Sequence, residues 1–308
     1  MTSHNIHRIY NSVYIIIKAK ERKRKMSVLI TADSTCDLPK MIATEREITI
    51  IPLSILLGTN SYKDGVEITR NDIYRHVKET GELPKTAAVT PAQYYEIFKA
   101  ACDEGHSVVH IGLSSAISST YQNACLAASE LNNVYCVDSK NLCAGMGLLV
   151  LKACDLRDKG FEAKKISARI NALVPKVHSS FVLDNLEYLH KGGRCSSVAK
   201  FGANVLGLKP VIGVDPATGK MDVIKKYRGK TESVCRQYIN DTMHDISKAD
   251  PARLIIADSG NVPGEIPAFA LGMAQGQCKF NEILNFDAGC TISSHCGPKT
   301  FALFYLKK

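Results

Sequence analysis

From Met26 onward, apolar runs of strand length alternate with segments whose apolar residues recur at helical spacing. Residues 27–32 read as a strand that ends in the polar turn Asp33-Ser-Thr-Cys-Asp37, and residues 48–57 as a further extended stretch. A helix is expected over 71–79. Thr90 and Pro91 then supply an N-cap and a first-turn proline for a helix running to about Asp103. A strand over 107–113, a helix over 119–131, a strand over 134–137 and helices over 145–159 and 163–173 follow. This alternation predicts a parallel sheet with helices on its faces. Beyond Pro175 the pattern changes to a strand at 179–183, a glycine-broken stretch over 186–206, and a hairpin of 211–214 and 221–227 around the turn Asp215–Lys220. A helix over 232–247, a strand over 253–257, a helix over 265–275 and strands over 279–284 and 301–306 complete it. The expectation is an α/β fold of two lobes, 26–175 and 176–308, preceded by a basic segment, 1–25.

The 308 residues and an apolar fraction of 45% suit a chain with real cores. No apolar run has transmembrane length: 13–17 is five residues long and is followed by charges. A secretory signal would have the reverse order, basic residues first. The net charge of +9 is misleading. Residues 1–25 hold seven Lys/Arg against Glu21 alone, so 32 basic and 29 acidic residues remain of the chain's 39 and 30. The body is near neutral, which argues against a nucleic-acid partner. The run Lys20–Lys25 reads as a disordered tail, as an upstream start before Met26 (the preferred reading), or as a weak RNA or membrane tether making at most transient membrane contact. Eleven cysteines, an odd number without a C-x-x-C pair, point to a reducing cytoplasm rather than a disulfide framework.

The most informative chemistry lies in His110–Ala124, where an apolar run breaks into Ser114, Ser115, Ser118, Ser119 and Thr120 before a helical pattern. A helix starting near Ser118 or Ser119 offers unpaired N–H groups and a positive dipole end to a small anion, and a carboxylate suits uncharged donors best. An ordinary N-cap is the plainer alternative. Thr86 sits in a loop before a helix. Arg194 follows two glycines as an anion clamp or an exposed turn residue. His295 lies at a turn among small polar residues. Nucleotide signatures are missing: Gly229-Lys230-Thr231 ends like a phosphate loop, but Ile224 stands where its first glycine must be. Gly112-Leu-Ser114-Ser-Ala116 nearly matches a nucleophile elbow, with Asp258 or Asp287 and His295 following in hydrolase order. That leaves a serine hydrolase of acyl esters as the alternative function. Cys290, His295 and Cys296 are close in sequence but lack a fourth metal ligand of matching spacing, so no metal is expected.

In joint order, several segments resemble the DegV family of bacterial fatty-acid-binding proteins, from Met26 to the C-terminus. They are Ala32–Leu38, Lys85-Thr86 with Thr90-Pro91, Ser114–Gln122, Val137–Lys140 with Gly145-Met-Gly147, Glu187–Arg194, Leu208–Pro210 and His295–Pro298. The resemblance implies two α/β lobes with a long-chain fatty acid between them, and no cofactor or catalysis of the chain's own. It implies that Thr86, Ser118, Ser119 and His295 hold the carboxylate, with Arg194, Ser114 and Ser115 as secondary contacts to the head group or a partner. It also implies a separate ATP-binding kinase subunit, which converts the presented carboxylate to acyl phosphate for phospholipid metabolism. Two departures stand out: Ser119 replaces a glycine usual in the family, and Ala87-Ala88-Val89 replaces Ser-Gln-Pro.

Overall fold

Pro39 and Pro52 punctuate the first third of the chain and decide how its apolar runs are used. The computed structural model describes residues 27–195, 207–277 and 279–308, so the basic segment, Met26 and most of the glycine-broken stretch lie outside the described residues. The first run forms β1 (Val28–Asp33); after helix α1 (Lys40–Glu45) the next forms β2 (Ile48–Ile51). Pro52 lacks the N–H that a continued ladder needs, so the stretch expected to be extended over 48–57 divides. Its second half, β3 (Ser54–Leu57), pairs instead with β4 (Asn60–Lys63) and β5 (Lys85–Ala87) in an antiparallel sheet of order β4-β3-β5. Thr86 therefore lies on a strand, not in the expected loop, paired with Ile55.

Helix α2 (Arg70–Thr80) precedes β5, and α3 (Pro91–Asp103) follows it. Thr90 caps α3 by accepting a hydrogen bond from the Gln93 N–H at 3.3 Å, with Gln93 reaching back to the Thr90 N–H. Tyr94, Phe98 and Ala101, one turn apart, turn its apolar face inward. Then come β6 (Ser107–Gly112), α4 (Thr120–Ala128) and β7 (Val134–Asp138). The first main sheet has the order β2-β1-β6-β7 and is parallel throughout.

Helix α5 (Cys143–Asp158) is apolar around most of its circumference, the mark of a helix buried on all sides. It packs against β1 and β6 of the first sheet. Gly145 allows this closeness on the other side: a Cβ there would overlap the side chains of Asn141 and Ser179. After α6 (Ala163–Leu173) the chain enters a second sheet. Its elements are β8 (Val177–Val182), α7 (Glu187–Gly192), β9 (Leu208–Val214), β10 (Met221–Arg228), α8 (Thr231–His244), β11 (Ala249–Asp258), α9 (Glu265–Gln277), β12 (Glu282–Asp287), α10 (Cys290–Cys296) and β13 (Phe301–Lys307). The order is β10-β9-β8-β13-β11-β12, antiparallel except for β11 with β12.

One apolar cluster runs from Ile30 and Val109 of the first sheet through Leu149 of α5 to Ile212 and Phe304 of the second, so the two lobes share a core. A second cluster covers the outer face of the second sheet with Val234 and Tyr238 of α8 and Ile266 of α9. The fold is thus α/β with two lobes and a parallel first sheet, as the alternation predicts.

Candidate functional site

Where α5, the second sheet and α10 meet the loop after β6, a cavity of about 190 Å³ remains. Apolar cavities of roughly 150 Å³ already hold a benzene-sized ligand. Leu53, Leu113, Leu142, Phe181, Ile292 and Phe304 supply apolar wall. Thr86, Ser118, Ser119, Arg194 and His295 also line it, drawn from β5, the loop before α4, the segment after α7, and α10.

α10 is held at its N-terminus by Asp64. This buried carboxylate accepts hydrogen bonds from the Cys290 N–H at 2.9 Å and the Thr291 hydroxyl at 2.6 Å. It also accepts one from the Ser34 hydroxyl at 2.8 Å. A negative charge at a helix N-terminus matches the positive dipole end there. The anchor aims the last turn of α10 at β5, where His295 Nε2 meets Thr86 Oγ1 at 2.9 Å. His295 is on a helix rather than at the turn expected from its neighbours. Burial, aided by the Arg194 charge, lowers its pKa to about 4, so the ring is neutral at pH 7. Its buried Nδ1 has no hydrogen-bond partner and faces Gly192, where a Cβ would overlap the ring.

The hydroxyl-rich turn divides into two functions. Ser114 is buried; its hydroxyl donates to the Gly219 carbonyl at 3.0 Å and accepts from the Ala116 N–H. The Ser115 hydroxyl donates to Asp138 at 2.6 Å, and its N–H reaches the same carboxylate. Neither serine lines the cavity; their hydroxyls are taken up in fastening the turn. Ser118 and Ser119 come to the cavity wall. The Ser118 hydroxyl pairs with that of Thr120 at 2.5 Å and accepts the Thr120 N–H at 3.2 Å, a local bond just ahead of α4. Ser119 has φ −83° and ψ 0°, open to any residue, so no glycine is required there.

The serine hydrolase arrangement does not form. Ser114 is committed to Gly219, and His295 to Thr86. Asp287 pairs with Arg70 at 2.9 Å, and Asp258 accepts the Gly260 N–H at 2.7 Å. Cys290 and Cys296 occupy opposite ends of α10 and do not converge with His295. Among the described residues no group of three or more His, Cys, Asp or Glu side chains is arranged to hold a metal ion. No helix there is long and apolar enough to cross a membrane.

Sequence reasoning missed Asp64, which sets the position of α10, and Ser259 and Thr300, which also line the cavity. Asp64 precedes Gly65 in what reads as a plain turn; its contacts on α10 lie 226 and 227 residues away, and no local pattern reports them.

Residues 27–308 match a family model described as an uncharacterised protein of the DegV family. A DegV domain-containing protein of Clostridium acetobutylicum is 32% identical over 285 residues, covering 91% of this chain and 99% of that protein. A DegV family protein from Thermus thermophilus, solved as a fatty-acid binder, superposes with a TM-score of 0.84 at 27% identity, covering 92% of this chain and 100% of that one. The DegV fatty-acid-binding protein of Bacillus subtilis gives a TM-score of 0.80 at 26% identity with the same coverage.

Proposed function

This chain belongs to the DegV family, and from that premise we propose that it carries a long-chain fatty acid and presents the carboxylate to a separate ATP-dependent kinase subunit. The acyl chain occupies the cavity; Thr86, Ser118 and Ser119 hold the carboxylate, His295 acts on it through Thr86, and Arg194 lies beside them. The observation that carries the reading is an apolar-walled cavity into which uncharged polar side chains from three separate parts of the chain converge, with the Arg194 guanidinium from a fourth.

Each methylene buried gains roughly 0.8 kcal/mol, so about seven within the cavity give a gross gain near 6 kcal/mol. Lost translational and conformational freedom offsets part of that. A buried carboxylate without partners would cancel much of the rest, so the donors decide which end of the ligand lies where. With the neutral imidazole donating from Nε2 to Thr86 Oγ1, the Thr86 hydroxyl proton is free to point at a carboxylate oxygen. Nδ1, which has no partner, then carries no proton. The partner supplies ATP: the carboxylate oxygen attacks the terminal phosphorus, and ADP leaves with the bonding pair.

Extraction and mass spectrometry of lipid travelling with the purified protein tests the first half. A co-purified acyl chain is expected, and a delipidated protein that takes up neither palmitate nor oleate overturns the reading. The second half is tested by adding an ATP-dependent kinase subunit from the same cell to the loaded protein. Acyl phosphate, trapped as its hydroxamate, must require both proteins.

A further inference from the structure

Away from the cavity, α4 and the edge strand β7 bring two cysteines together. Asp138 accepts hydrogen bonds from Ser115 in the loop leading to α4, so its side chain lies on the face of the sheet that α4 covers. Cys136, two residues earlier on the same strand, lies on that face as well. On the helix, Tyr121 sits over Gly112: a Cβ built there would lie 3.5 Å from the Tyr121 Cβ. Cys125 follows one turn later on the same helix face.

The ladder pairs Gly112 with Asp138 and His110 with Cys136. Two strand residues advance about 6.6 Å and four helix residues about 6 Å, so a helix running back over the sheet carries Cys125 onto the Cys136 row. The Cys136 thiol and the Tyr121 hydroxyl both lie against the Cys125 sulfur. These contacts hold the Cys125 thiol below the usual range, while Cys136 is held up and keeps its proton. Both residues are half-buried, whereas Cys36, Cys143, Cys154, Cys235, Cys290 and Cys296 are buried. Cys102 is also half-buried, but burial pushes its thiol up.

We propose that Cys125 and Cys136 form a reversible disulfide in response to peroxide, tying α4 to β7. The Cys125 thiolate attacks one peroxide oxygen: an S–O bond forms, the O–O bond breaks, and the departing hydroxide takes up a proton as water. The Cys136 sulfur then attacks the Cys125 sulfur: an S–S bond forms, the S–O bond breaks, and the second hydroxide leaves as water with the Cys136 proton. Two thiols are oxidised by two electrons and one peroxide is reduced to two waters; a thiol reductant reverses the bond. The link closes in the helix that begins directly after Ser118 and Ser119, and it requires neither a bound fatty acid nor a kinase.

The full-length reduced protein, treated with equimolar hydrogen peroxide, alkylated and mapped without reduction, tests this. The expected product is a cross-linked peptide pair containing Cys125 and Cys136, lighter by two hydrogens and released by dithiothreitol. In Cys136→Ser, a cyclic 1,3-dione should capture Cys125 as its sulfenic acid. In Cys125→Ser the cross-link should vanish and peroxide consumption should fall roughly tenfold. Oxidation scattered over other cysteines without this link, or a Cys125 that stays unmodified in Cys136→Ser, overturns the proposal. The map of the unsubstituted protein decides the matter even where a variant fails to fold.

Discussion

Thr86 and His295 stand 209 residues apart in the chain, yet their side chains share a 2.9 Å hydrogen bond at the cavity wall. The bond joins a short strand of the small sheet to the last turn of α10. Each partner is held from elsewhere: Thr86 by its ladder position opposite Ile55, His295 by the anchor that Asp64 gives the start of its helix.

Removing the hydroxyls at the proposed carboxylate site should leave the fold and weaken the ligand. Hydrogen bonds to charged groups contribute about 1.5–3 kcal/mol each, so Thr86→Ala with Ser118→Ala should weaken fatty-acid binding by roughly a hundredfold or more. Loss of the bond from the Thr120 N–H to the Ser118 hydroxyl should cost about 1 kcal/mol of stability besides. Calorimetric titration with oleate checks the first effect and urea unfolding the second. Unchanged affinity would place the head group elsewhere.

Gly192 faces the ring edge of His295 that carries the unpartnered nitrogen, and Gly192→Ala would put a methyl group into it. We expect His295 to be pushed off Thr86 and fatty-acid affinity to fall about tenfold, with circular dichroism unchanged. The imidazole resonances in an NMR spectrum should shift in the same variant.

Asp64→Ala should be among the more costly single changes outside the main core. It strands the Cys290 N–H and the Thr291 hydroxyl, both buried, at about 1–3 kcal/mol each. A loss of roughly 3 kcal/mol, measured by chemical denaturation, should be accompanied by weaker fatty-acid binding, because α10 carries His295.

His295 also sets a pH dependence for the ligand-free protein. Its folded pKa of about 4 lies below the unfolded value of about 6.5, so the unfolded chain takes up the proton first on acidification. Its contribution is fully present above pH 6.5 and is lost as pH falls toward 4. Relative to His295→Gln, the unsubstituted protein should lose up to about 3 kcal/mol between pH 7 and 4. Parallel unfolding curves for the two proteins over that range would contradict a buried, neutral ring.

Much of the fold is legible locally, and the reasons are specific. Thr90 and Pro91 announce α3 because an N-cap and a first-turn proline act within one turn. The helix expected over 163–173 forms as α6 (Ala163–Leu173), with Ile166 and Ile170 buried one turn apart. The short elements were misread or missed: β5 and α10 have three and seven residues, too few for a period to show. The division at Pro52 was also missed, since β2 and β3 have similar apolar character and only their partners differ.

The sequence alone determined the α/β alternation, the parallel first sheet and a hydroxyl-rich turn ahead of α4, because capping, periodicity and proline restriction act over a few residues. Tertiary structure decided which hydroxyls face the cavity. Ser114 and Ser115 are consumed by Gly219 and Asp138, while Thr86 meets His295. Each of those choices depends on a partner at least 23 residues away, and a side chain's free hydrogen-bonding capacity is known only once its neighbours are in place.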